Sequence, residues 1–211
     1  MKKKLIEFFN YLIKGIYAGI MIGIAGCVYL SVDNHVIGSF LFALGLLTIC
    51  MYGMNLYTGK IGYVLINKPK YLLELLFTLI GNFIGTFIVG KLISLTRFKS
   101  ICDSAKVVGK IKLNDNLLSI FILSFFCGIL MYIAVNNHKK ITGEIGKYIG
   151  IFLCVMVFIL CGFEHSVANM FYFSAGSLWT FKTLLYIFIM VLGNSCGSIL
   201  FAFFYNRFYK N

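Results

Sequence analysis

The chain has 211 residues, 60% of them hydrophobic and only 12% charged, with a mean hydropathy of +0.92. A soluble domain carries about 25% charged residues, so an ordinary soluble fold is excluded and an integral membrane protein is expected. The net charge of +12 does not mark a nucleic-acid binder, because the basic residues gather at the termini and between apolar runs, where snorkelling and the positive-inside bias place them.

In chain order, "MKKKLIEFFNYLIKGIY" opens with a basic start but has no small-residue cleavage site. Residues 1–14 therefore read as a cytoplasmic amphipathic lead-in rather than a signal peptide. A bilayer core needs about 20 apolar residues per helix. Six segments qualify: Gly15–Val32, Val36–Ile66, Tyr71–Leu95, Asn116–Val135, Tyr148–Phe173 and Thr183–Tyr205. The second and fifth are too long for one straight span, and each carries a polar interruption, "YGMNLYTGK" (52–60) and "GFEHSVANM" (162–170). Discontinuous helices at matching places in two halves point to a transporter's substrate site.

The third and sixth segments share a pattern, "GNFIGT" (81–86) and "GNSCGS" (193–198). The expected fold is thus an all-α membrane protein of six transmembrane helices, a 3+3 inverted repeat with helices 2 and 5 broken. Residues 15–95 and 116–206 form the two repeats, and 96–115 a basic extracytoplasmic loop. Asn82 and Asn194 are expected to bond across closely packed helices. The side holding both termini collects eleven Lys and Arg against seven on the other, so the termini are expected in the cytoplasm. The basic loop either concentrates small anions or is simply solvated.

The seven Cys show no metal spacing, and six lie in apolar runs, so neither a metal, a cofactor nor a disulfide framework is expected. Non-helical backbone at membrane depth survives only against protein or a water-filled cavity. The two breaks are therefore expected to face each other across a pore, Thr58 supplying a hydroxyl and His165 an imidazole. An ionisable residue there costs roughly 2.5–3.5 kcal/mol, which makes His165 a functional candidate. Glu164 reads as a brace for the broken backbone, Asn169 as a residue of the substrate pathway that helps hold the imidazole, and Lys60 as a side chain snorkelling to the cytoplasm. Two other classes compete. An intramembrane enzyme using Glu164 and His165 would need a second constellation, which the sequence lacks. A neutral-solute aquaporin-like pore would need paired Asn-Pro-Ala motifs, and Pro69 is the chain's one proline.

"GFEHSVANMF" (162–171), "NLYTG" (55–59) and "YAGIMIGIAG" (17–26) together resemble the formate/nitrite transporter family. That resemblance implies a homopentamer of aquaporin-like protomers in a lipid bilayer, each with its own pore. Its partners would be small anions of weak acids, such as formate, nitrite, hydrosulfide and lactate, together with protons. It places His165 as the central pore histidine and Thr58 as the threonine of the helix-2 loop. Leu56 and Tyr57 fall at a constriction, where Phe is more usual than Tyr, and Phe42 and Phe158 align with aromatic gates. Tyr132 stands where a polar residue of the fourth helix is common.

Overall fold

The computed structural model describes the backbone of residues 2–209 and their side chains except those of 2–5 and 144. Lys2, Lys3 and Lys4 as side chains, and Lys210 altogether, lie outside the described residues, so the charge tally is not tested at those four. Every regular element described is helical. In order they are α1 (Lys2–Leu30), α2 (His35–Met51), α3 (Tyr57–Lys60) continued by a 3₁₀ turn (Ile61–Ile66), and α4 (Tyr71–Ser94). Then follow α5 (Lys99–Leu113), α6 (Leu117–Lys140), α7 (Glu144–Leu160), α8 (Ser166–Ala175) and α9 (Phe181–Phe208).

Four stretches are long and apolar enough to cross a membrane: Ile6–Leu30, Tyr71–Ser94, Leu117–Lys140 and Phe181–Phe208. Large apolar side chains such as Leu76, Leu118, Phe188 and Phe204 point outward from them. Water would penalise that much exposed apolar surface, whereas lipid tails cover it without cost. The chain is a multi-pass membrane protein.

Small residues decide how the long helices pair. α1 packs on α4 and α6 on α9. A Cβ added at Gly85 would meet the Ile16 carbonyl of α1, and one at Gly197 the Phe125 carbonyl of α6. Backbones touch there, so no other residue fits without moving a helix.

The second and fifth apolar segments each appear in two pieces. α2 stops at Met51 and α3 begins at Tyr57; α7 stops at Leu160 and α8 begins at Ser166. Both stops are the same device. Gly53 (φ +63°) and Gly162 (φ +67°) take the left-handed conformation. The next residue then donates back to the helix, Met54 N–H to the Ile49 carbonyl (3.0 Å) and Phe163 N–H to the Phe158 carbonyl (2.8 Å). This is a Schellman ending, which satisfies carbonyls that lipid could not. The second pieces cross over: α3 and its 3₁₀ turn pack against α6 and α9, and α8 against α4.

The connecting segment 96–115 is folded for most of its length. Ile101, Ala105 and Gly109 recur every fourth residue and face inward, while Lys99, Lys106 and Lys110 are exposed. That spacing makes α5 an amphipathic helix lying against α8.

Candidate functional site at the two helix breaks

The backbone of each break is anchored by one asparagine. Asn82 of α4 donates through Nδ2 to the carbonyls of Gly15 (2.9 Å) and Asn55 (2.8 Å), and its Oδ1 accepts Tyr57 N–H (2.8 Å). Asn194 of α9 donates to the carbonyls of Ser124 (2.8 Å) and Glu164 (2.8 Å), and its Oδ1 accepts Ser166 N–H (2.9 Å). Asn55 N–H also reaches the Lys14 carbonyl (3.2 Å), as Glu164 N–H reaches that of Leu123 (3.3 Å). The non-helical peptides thus find partners inside the protein, as membrane depth demands.

Between the breaks sit Thr58 and His165, both buried. His165 caps α8: its Nδ1 accepts Ala168 N–H at 3.0 Å. An acceptor nitrogen carries no hydrogen, so the proton of this neutral ring is on Nε2. Nε2–H then donates to Thr58 Oγ1, 2.8 Å away, which leaves the threonine hydroxyl hydrogen to donate elsewhere. The imidazole stacks on Phe158 (ring centroids 5.6 Å apart), and Phe42 meets Phe158 edge-on at 5.9 Å.

Two cavities approach this pair from opposite ends of α6. One, about 110 Å³, is lined by His165, Phe158, Asn169, Lys112, Tyr29 and Tyr172. The other, about 390 Å³, is lined by Leu56, Asn55, Gly59, Lys60, His138 and Lys139. Glu164 lines an adjoining cavity of about 600 Å³ that shares Lys112 and Gly162 with the smaller one. Its carboxylate accepts Lys112 Nζ at 2.7 and 2.9 Å and Asn169 Nδ2 at 2.8 Å. Asn169 Nδ2 also donates to the His165 carbonyl (3.0 Å), and its buried Oδ1 has no partner among the described residues.

A family model described as formate/nitrite transporter matches residues 1–208. This chain belongs to the formate/nitrite transporter family. Relatives within reach include an uncharacterised transporter of Bacillus subtilis (strain 168), 28% identical over 149 residues, covering 65% of this chain and 56% of that one. A formate channel of Bacillus thuringiensis is 29% identical over 152 residues, 67% of this chain and 58% of its own. The match thus spans less than two thirds of the length of these two relatives. A probable formate transporter of Methanothermobacter thermautotrophicus is 25% identical over 191 residues, 76% of this chain and 70% of its own. Two solved structures share the fold at 22% identity. One is a pentameric formate channel with formate bound (TM-score 0.83, covering 97% of this chain and 98% of that one). The other is an FNT family ion channel (TM-score 0.80, 100% and 92%).

The candidate residues of this family member do not all gather in one place. Thr58, His165, Phe158 and Phe42 form one continuous contact, with Leu56 on the wall of the larger cavity and Asn169 and Glu164 on the side of the smaller. Tyr57 turns away: its hydroxyl meets Ser195 Oγ of α9 at 2.9 Å, and its ring packs with Ile61 and Leu75. Tyr132 is buried beside Tyr63 (5.4 Å). Lys60 lines the larger cavity, where its ammonium is paired with Glu74 and donates to Asn55 Oδ1 at 3.0 Å. Lys112 was missed by sequence reasoning, although the inward spacing of Ile101, Ala105 and Gly109 in α5 was the signal that this segment folds back on the protein.

Proposed function

We propose that the chain is a channel for small monovalent anions of weak acids, the class of formate, nitrite and hydrosulfide, in a cytoplasmic membrane with both termini inside. The single observation that carries this reading is the 2.8 Å bond between Thr58 and His165, which joins the two helix breaks at a narrow, buried waist between two cavities. The repeated Asn82 and Asn194 bonds support a 3+3 inverted repeat of six spans, residues 15–95 and 116–206. The outward Phe and Leu surfaces, with the pentameric assembly of a protein of the same fold, support a homopentamer of separate pores.

An anion entering a low-dielectric waist meets an idealised cost of order 20 kcal/mol, still several after relaxation. Protonating an acid of pKa about 4 at pH 7 costs only about 4 kcal/mol. The substrate crosses as the neutral acid, protonated near His165. The imidazole acts there as a fixed donor to Thr58: a second proton on Nδ1 would face Ala168 N–H and strip α8 of its cap. The proton then comes from water in the cavity, and Thr58 O–H guides the acid between Phe158 and Leu56. Strong-acid anions such as chloride have no neutral form of comparable cost and are excluded.

Stopped-flow uptake into proteoliposomes of formate, nitrite, hydrosulfide, chloride and glycerol tests this. Fast movement of the three weak acids, with chloride and glycerol excluded, is expected. Glycerol uptake without formate uptake, or chloride moving as fast as formate, would sink it.

A further inference from the structure

The two cavities beside the waist carry their positive charge differently. In the smaller, Lys112 is held by both carboxylate oxygens of buried Glu164. In the larger, two lysines and an imidazole converge on one space of about 390 Å³, with Asn55 and Leu56 nearest the waist. Lys60 there is paired with Glu74. Lys139 is not paired in this way: among the described residues no carboxylate lies within ion-pair distance of its Nζ, which sits 4.1 Å over the Tyr63 ring. A ring face attracts an ammonium but occupies none of its three N–H donors as a carboxylate does. An ammonium at a partly buried wall with no counter-ion favours an anion from solution.

We propose that this cavity is an anion-loading site, in which Lys139, with Lys60 and His138 beside it, holds one small carboxylate or inorganic oxyanion below Leu56. The inference rests on the channel reading and adds where the anion waits and from which face it saturates. Glu74 already neutralises Lys60, which limits the site to a single charge. On the opposite face Glu164 occupies the only lysine lining the smaller cavity, so loading there is weaker. The pore therefore rectifies: an anion offered at the Lys139 face reaches half-maximal flux at a lower concentration than one offered at the Lys112 face.

The test measures initial formate flux in right-side-out and inside-out membrane vesicles at zero membrane potential. Wild type should half-saturate at a concentration about two- to fivefold lower from the Lys139 face, the scale of one partly exposed charge contact. Lys139→Gln should abolish that difference and Lys139→Arg should keep it. Equal half-saturation from both faces in wild type, or a difference that survives Lys139→Gln, overturns the proposal. A second readout needs no transport: thermal unfolding of the detergent-solubilised protein in formate against gluconate at constant ionic strength. Formate should raise the Tm of wild type and of Thr58→Val, but not of Lys139→Gln. A wild type that moves no formate yet shows this shift would end the channel reading and keep the site. A wild type with flux but no formate-specific shift would end the site and keep the channel.

Discussion

Asn82 and Asn194, on different helices and far apart in sequence, make the same pattern of three hydrogen bonds, two to a helix break and one to a neighbouring helix. Each amide spends one hydrogen and its oxygen on break backbone that has no helical partner, and the other hydrogen on a carbonyl of a neighbouring helix, Gly15 of α1 or Ser124 of α6. Asn194→Ala would orphan the Ser166 N–H and the Glu164 carbonyl in a buried setting, at about 1–3 kcal/mol per unsatisfied group. We expect a loss of at least about 2 kcal/mol in thermal or denaturant unfolding, and a comparable loss for Asn82→Ala. A change below about 1 kcal/mol would mean that water or neighbouring side chains replace the clamp.

Thr58→Val keeps the shape and removes the hydroxyl that accepts from His165 Nε2. Assembly should be unaffected, while formate and nitrite fluxes fall, by about tenfold if one hydrogen bond to the passing acid is worth about 1.4 kcal/mol. Wild-type flux for every weak acid tried would confine Thr58 to holding the ring in place.

The tautomer of His165 makes a sharper prediction. If the acid takes its proton from cavity water, formate flux should fall about tenfold per pH unit between pH 5 and 8, following the neutral fraction of an acid of pKa about 4. His165→Asn retains an N–H donor and a residue suited to an N-cap, so its flux should be reduced but keep that slope. His165→Leu, with neither donor nor cap, should lose flux and stability together. A flat pH profile in His165→Asn would show that the imidazole itself carries the proton.

Lys112 and Glu164 form an ion pair with side chains 14% and 5% exposed. Removing one partner strands the other charge, at about 3–5 kcal/mol, whereas removing both can be nearly neutral. Lys112→Met and Glu164→Gln should therefore each lower the unfolding midpoint, and the double variant should recover much of the loss. Additive losses in the double-variant cycle would show that each residue has a separate role.

Much of the candidate site was legible because the membrane makes polar residues conspicuous. Thr58, Glu164, His165 and Asn169 stand out in runs of Ile, Leu, Val and Phe, and each of them is buried. Tyr57 was misleading for a local reason. The residue opening a helix gives no sign in sequence of which way its side chain turns, and here Ser195 of α9 draws its hydroxyl away from the cavities. Lys112 was hidden among other lysines of a connecting segment, indistinguishable from Lys106 or Lys110 until α5 was folded against α8.

Composition and pattern alone determine that this chain is helical and membrane-embedded, that its second and fifth apolar runs hold polar interruptions, and which family it belongs to. These are local properties: the cost of each residue in lipid, and the glycines that let a helix end in a left-handed turn. The tertiary structure alone decides that Thr58 meets His165 across 107 positions of chain, that Asn82 and Asn194 are clamps, and that Lys112 is paired with a carboxylate while Lys139 has none among the described residues. Those facts depend on which side chains arrive in the same few ångströms of low-dielectric space. There the energy of a charge or donor is set by its neighbours, so no reading of the segments one at a time could have supplied it.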